Sequence, residues 1–306
     1  MKKINFLFTS VCWFAACTLS MKSLAQATQS LDQTVNSVLD DQNPTNYIIY
    51  AVKEASFGRY NYISGDVGVT ATNGKAGFKR YNILDSFKVK AAEVHVQIPS
   101  TVNNIFMVPA TGGPSPAFYP YSGNTSGLSN IDVTVNNTVL NGGWKNVKVK
   151  KGITATITGN NFGKITIEEG AHVTFTAQVI NLEELKVEKG KKHVNFTIVN
   201  FRNPAAVKVK DKVTVEAYTR VNVGGPKVTF YAGDNSGDEE KFEVKGEDNQ
   251  VTANIMIPNG ILKVDGGSYN AWPTVMTGWY IIEKLAANCK FVYWNRDNSS
   301  IVNPPS

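Results

Sequence analysis

His172 and His193 are the side chains best placed for metal chemistry. Each follows a turn glycine, Gly170 or Gly190, and stands three residues ahead of a phenylalanine, Phe175 or Phe196. If those phenylalanines face inward, the odd spacing turns both imidazoles outward, and side chains one rung apart stand about 4.8 Å from each other. Two imidazoles with no Asp or Cys in the same column make a poor metal site, so a surface ladder is expected. The stretch Asp234-Asn-Ser-Gly-Asp238-Glu-Glu240 sets oxygen ligands at alternate positions, as calcium loops do. Counted from Asp234, the sixth place holds Glu239 instead of glycine, and the twelfth holds Lys245 where a bidentate acid belongs. Asp234, Asp238 and Glu240 are therefore weak metal candidates, and no metal or other cofactor is expected. Cleavage of a glycosidic bond needs two carboxylates converging on one groove. The acids here fall mainly at turns. No phosphate-cradling glycine loop, nucleophile elbow or zinc motif is present. A non-catalytic protein is expected.

Aromatic side chains are the better binding candidates, because flat rings give contact area at low entropic cost. Phe118, Tyr119 and Tyr121 lie in a stretch, 109–130, rich in Pro and Gly. Trp272, Trp279, Tyr280, Tyr293 and Trp294 gather toward the C-terminal end. Phe118, Tyr119, Tyr121 and Trp272 are the candidate ligand contacts. Trp279 and Trp294 are expected to seal the last coil. The 109–130 loop is expected to leave Tyr119 and Tyr121 partly exposed and to be removable without unfolding the rest.

The elements that must position these residues are written in a recurring phrase. Val147-Lys-Val-Lys-Lys-Gly152, Ile165-Thr-Ile-Glu-Glu-Gly170, Leu185-Lys-Val-Glu-Lys-Gly190 and Val207-Lys-Val-Lys-Asp-Lys212 start about 20 residues apart, the period of a solenoid. After each turn a second alternating run follows, such as Ile153-Thr-Ala-Thr-Ile157. Alternation of period two is the mark of a strand with one buried face. A single unit cannot bury that face alone, and stacked units can. Val149, Ile167, Val187 and Val209 are expected in one inward column. The strand-rich stretch 47–98 reads as the first coils of the same stack. A single β-helix domain is expected over 47–294, with loop insertions at 109–130 and 233–249 and a flexible tail at 295–306. Residues 28–46 read as a capping segment, because Ser30-Leu-Asp-Gln33 has the form of a capping box.

Residues 1–27 read as an export signal, with Lys2 and Lys3 ahead of an apolar run and Ala25-Gln-Ala27 as the cleavage site. Phe14-Ala-Ala-Cys17 offers the alternative of lipidation at Cys17, the one membrane attachment considered. Loss of Lys2, Lys3 and Lys22 takes the net charge from +6 to +3. Basic and acidic residues are interleaved along the strands, which argues against nucleic acid as a partner. Cys289 would then be the single cysteine, without an internal disulfide, and it sits in an apolar run that suits a buried thiol.

From Tyr47 to Trp294 the chain resembles the β-helical domain of exported surface proteins of Bacteroidetes and other bacteria. The passages that carry this are 60–69 (Tyr-Asn-Tyr-Ile-Ser-Gly-Asp-Val-Gly-Val), the repeated Lys-Lys-Gly, Glu-Glu-Gly and Glu-Lys-Gly turns, and 253–260 (Ala-Asn-Ile-Met-Ile-Pro-Asn-Gly) followed by 277–282 (Thr-Gly-Trp-Tyr-Ile-Ile). The resemblance implies a right-handed parallel β-helix in an exported adhesin or scaffold module at the cell surface or outside it. A cell-surface glycan or protein is the implied partner. Many such domains carry appended immunoglobulin-like repeats or a sorting domain, which this sequence does not show. A carbohydrate-active β-helix enzyme and a self-associating structural protein are the alternatives. The first would be favoured by acids gathered in a groove, the second by an uncapped end.

Overall fold

The computed structural model describes residues 43–111, 117–233, 239–268 and 271–296. The signal segment with Cys17, the expected capping helix, Asp234, Asp238, the side chain of Cys289 and the tail from 297 lie outside the described residues. Of the capping segment, only its last residues are described. They form a 3-10 turn, Pro44–Asn46, whose Asn43 side chain accepts from the Thr45 N–H at 3.0 Å.

Among the described residues, twenty-two strands join in one ladder, and their pairings are parallel. The protein is an all-β parallel β-helix, with no α-helix among the described residues. Its lumen is filled by the apolar half of the period-two alternation. Val133, Val149, Ile167, Val187, Val215, Val244 and Val264 stack in one buried column. Burial contributes roughly 1.5–3 kcal/mol for each such side chain.

Val209 is not in that column. It stands opposite Leu182, because the ladder shifts register between Leu182 and Glu184. The strand Ala205–Val215 holds two Val-x-Val phrases, and the second, 213–215, matches Leu185-Lys-Val187. The 233–249 insertion is also less irregular than expected. Glu240–Lys245 is a ladder strand with Phe242 and Val244 facing the core.

Stacking order departs from chain order. The strand Tyr47–Ser64 pairs on one side with the coil that follows it, through Asp66–Val69 and Lys75–Phe78. Its other side pairs with the last strand, Tyr280–Asn295, from Ile49 to Ser64. The first and last coils are therefore neighbours in mid-stack. Glu93–Val96 and Thr101–Phe106 form one end, and Asn130–Val133 with Thr138–Leu140 form the other.

The described parts of the connection between the two ends, residues 107–111 and 117–129, lie along the outside. The Ala110 N–H donates to the Val69 carbonyl at 2.8 Å, and Phe118 and Tyr119 pack on Tyr231. Farther along, the Ser122 N–H donates to Asn181 Oδ1 at 3.2 Å, and Thr125 Oγ1 donates to Glu183 Oε1 at 2.7 Å. Beneath this strap lies one outward column: Gly68, Tyr50, Ile281, Met256, Tyr231, Lys208, Asn181 and Asn161. Its apolar members belong to a second buried cluster, separate from the lumen, that also holds Tyr47, Ala110 and Trp279. Gly68 has to be glycine, since a Cβ there would stand 2.8 Å from the Tyr47 ring and 3.0 Å from the Ala110 Cβ.

Trp279 and Trp294 do not seal an end, because their coil is interior. Trp279 is buried under the strap. Trp294 fills the lumen, where its Nε1–H donates to Asn61 Oδ1 at 2.9 Å.

Charged residues form an outer network. Glu243 is almost wholly buried, with Lys212 at 2.7 Å, Lys245 at 3.0 Å and Lys263 at 3.2 Å. Burial pulls its pKa up, but the hydrogen bonds from Lys212, Lys245 and Lys263 outweigh this and hold it at about 2. The folded value is below the ordinary 4.5, so the stabilisation is complete above about 4.5 and is lost as pH falls through about 2. Glu243→Gln is expected to cost roughly 2–3 kcal/mol at pH 7 and to match the parent near pH 2. Chemical denaturation at the two pH values measures this, and equal stability at pH 7 would remove the network's role.

Candidate functional site

The turn that closes each unit defines a corner, and the ladder registers place successive corners in one row. Gly152, Gly170, Phe196, Tyr218, Asp248, Pro273, Phe291, Tyr60, Tyr81 and Pro99 follow one another along it. Gly152 and Gly170 have φ of +71° and +68°, the left-handed region that glycine enters freely. At the other end of the row Tyr60, Tyr81 and Phe291 adopt the same conformation, with φ of +59°, +65° and +73°. An aromatic residue there costs on the order of 1–2 kcal/mol relative to glycine. Tyr218 and Asp248, midway along the row, share this conformation, with φ of +58° and +56°. At this end it is set on one exposed ring, Tyr81, and two half-buried ones, Tyr60 and Phe291, which marks a candidate site.

One residue farther on, a buried polar row holds the corner in shape. The Asn61 N–H and its Nδ2 donate to Asn82 Oδ1 at 2.8 and 2.9 Å. Asn82 Nδ2 donates to the Gly58 and Lys79 carbonyls at 2.8 and 2.6 Å. Ser100 Oγ accepts from the Asn82 N–H at 3.1 Å. One further residue on, an outward row presents Tyr293, Tyr62, Ile83 and Thr101.

The two outer rows enclose an open cleft of ≈ 680 Å³, lined by Tyr60, Tyr62, Tyr81, Asn82, Ile83, Ile98, Pro99, Ser100, Thr101 and Phe291. Tyr60 and Tyr81 stack at 4.6 Å with planes 4° apart. Tyr62 meets Tyr293 edge-on at 4.9 Å, and Phe291 lies 5.5 Å from Tyr293. Tyr81 is 41% exposed and Ile98 84% exposed. Tyrosine hydroxyls, Ser100, Thr101 and Asn82 supply hydrogen-bonding groups beside apolar rings. Among the described residues, the lining holds no carboxylate, imidazole, thiol, ammonium or guanidinium.

The sequence candidates lie elsewhere. Phe118 and Tyr119 are half-buried in the strap, with rings 6.2 and 5.3 Å from Tyr231, and Lys208 Nζ stands 5.9 Å from the Tyr119 ring. Tyr121 is half-buried beside Thr125 and Glu183, and burial followed by the Glu183 charge raises its pKa. These rings cover the flank of the β-helix. Trp272 is 61% exposed, with its ring 5.6 Å from that of His193. It precedes Pro273, so it stands at the same corner as the cleft, farther along the row.

His172 and His193 do not form a ladder. His172 pairs with Thr154 and Ile198, whereas His193 lies in a tight turn with φ of +54°, its Nδ1 3.7 Å from Asp248 Oδ2. The coil holding His193 is longer than the one before it, and the extra residues make that turn. Glu240 is unsuited to a cation, because its carboxylate is bound by Lys263 at 2.9 Å and Lys212 at 3.1 Å. Among the described residues, no three His, Cys, Asp or Glu side chains gather as metal ligands.

A signal for the cleft was present in the chain. Tyr60-Asn-Tyr-Ile63 and Tyr81-Asn-Ile-Leu84 repeat one phrase 21 residues apart. In it the first Tyr becomes the corner, the Asn the buried amide and the third residue the outward wall. Phe291 and Tyr293 could not be joined to it without knowing that the last coil docks on the first. No family model, curated protein or solved structure matches the chain.

Proposed function

We propose that the protein is a non-catalytic binding module, in an exported surface or extracellular setting, whose contact surface is the aromatic cleft. The observation that carries this reading is the row of Tyr60, Tyr81 and Phe291 in a backbone conformation that disfavours them. Among the described residues the cleft lining is uncharged and amphipathic, with rings beside hydroxyl and amide groups, which suits a neutral glycan better than an ionic ligand. A lining without acid or base groups gives general acid–base chemistry no starting point, which supports binding over glycan cleavage.

The test is glycan-array screening followed by calorimetric titration of the best neutral oligosaccharide. Tyr62→Ala and Tyr81→Ala remove exposed rings and should spare the fold. Each is expected to weaken binding about three- to tenfold. Phe118→Ala, in the strap, should leave affinity unchanged. Unaltered affinity in both cleft variants would sink the proposal, and a loss confined to Trp272→Ala would move the site along the corner.

A further inference from the structure

The cleft is one stretch of a longer uncharged row. Its outward wall, Thr101, Ile83, Tyr62 and Tyr293, continues through the ladder to Val275. Its corner side continues in step, from Phe291 to Pro273, and both Pro273 and Val275 are half-buried. Two residues beyond the wall, on the same face, a column of hydroxyl and amide groups keeps pace: Ser64, Asn295 and Thr277. Ser64 and Asn295 are exposed, and Thr277 is half-buried.

The row has a charged stop. After Val275 the wall passes to Gln250 and then to Arg220, while the corner beside Gln250 is Asp248. Arg220 Nη2 donates to Asp248 Oδ1 at 2.7 Å, and both side chains are largely covered. From Thr101 to Val275 the uncharged wall makes four ladder steps. At about 4.8 Å each, they span roughly 19 Å along the β-helix axis. A row of this kind suits an extended ligand. Sugars joined by β-1,4 linkages form a ribbon whose advance per unit is close to the rung spacing, so successive sugars can meet successive rungs. An α-1,4-linked chain coils and leaves the row. Rings flanked by hydroxyl and amide groups match the apolar faces and hydroxyl edges of such a ribbon.

We propose that the row takes about five consecutive sugars of an extended, neutral β-1,4-linked polysaccharide, one to each rung from Thr101 to Val275. This extended site presupposes that the cleft binds glycans, and it fixes the linkage and the length of chain.

The test titrates the full chain calorimetrically with β-1,4-linked gluco-, xylo- and manno-oligosaccharides of two to six units. In the series that binds, affinity is expected to rise to the pentasaccharide, about tenfold over the disaccharide, and to level at the hexasaccharide. Val275→Asp sets a charge in the last rung of the row and should bring the pentasaccharide down to the affinity of the tetrasaccharide. Thermal melting confirms that the variant folds. Tyr62→Ala, in the middle of the row, should weaken every length. Equal affinity from disaccharide to hexasaccharide overturns the extended row while leaving the cleft a site for a short glycan. So does a Val275→Asp variant that binds the pentasaccharide as the parent does. Binding of none of the three series overturns it as well. In that case a neutral glycan of another linkage, found on the array and weakened by Tyr62→Ala, would show that the cleft itself still binds sugar.

Discussion

Deleting residues 111–128 is expected to unfold the β-helix. The segment looks dispensable, since it is irregular and lies outside both flanking strand patterns. Yet Ala110 bonds to the coil of Val69, while residue 129 bonds to the coil of Lys145. Between Gly68 and Asn161 the outward column makes seven ladder steps. The coil of Lys145 is one step farther, so at about 4.8 Å each eight steps separate the two attachment points by roughly 38 Å. One peptide link spans about 3.8 Å. The shortened chain cannot hold both coil sets in one stack, so the seam between Tyr47–Ser64 and Tyr280–Asn295 must open or the end coils must melt. Circular dichroism and thermal melting of the deletion should show loss of the cooperative transition. A Gly/Ser replacement of equal length is the informative control. It spans the distance but uncovers Tyr231, Met256 and Ile281, so it should fold and melt well below the parent. A deletion that melts like the parent would mean that the chain does not stack in this order.

The second large effect is expected at the seam itself. Trp294 has no solvent exposure and packs edge-on against Phe57 and Tyr280, with ring centres 6.1 and 5.5 Å away. It lies between Ile63 of the first coil and Met276 of the coil before it. Trp294→Ala should cost about 3–5 kcal/mol through the cavity it leaves. It also strands Asn61 Oδ1 without its indole donor, a further loss of about 1–3 kcal/mol. For a chain of this size that is a fall in Tm of about 10–15 °C. Because the N-terminal coils join the rest through this strand, amides of Tyr47–Ser64 should lose exchange protection before those of Asn161–Ile167. Trp294→Phe, which keeps most of the ring volume, should lie between. A variant with parental Tm and uniform protection would show that the seam is not the weak joint.

The sequence by itself determined the local grammar of this protein. Alternation of period two made the strands, and the turn phrases ending in Gly152 and Gly170 made the corners. Coils of nearly equal length, 18 and 20 residues, placed Val149, Ile167 and Val187 in one column. That legibility ended where coil length changed: Val209 and His193 both fall in coils lengthened relative to their neighbours, and counting from a turn no longer identified the partner. Tertiary structure alone decided which coil lies on which. An alternating pattern states which face is inward, but a parallel edge can accept any coil of suitable width. The choice rests on contacts between residues more than two hundred positions apart, such as Trp294 with Asn61. The same long-range choice turned the Pro- and Gly-rich loop into a strap. Lack of periodicity pointed to partly exposed aromatics, and Phe118 and Tyr119 are half-buried, but only the stacking order set them against the apolar stripe at Tyr231. It also made the cleft, whose Tyr60 and Phe291 are neighbours only because the first coil docks on the last.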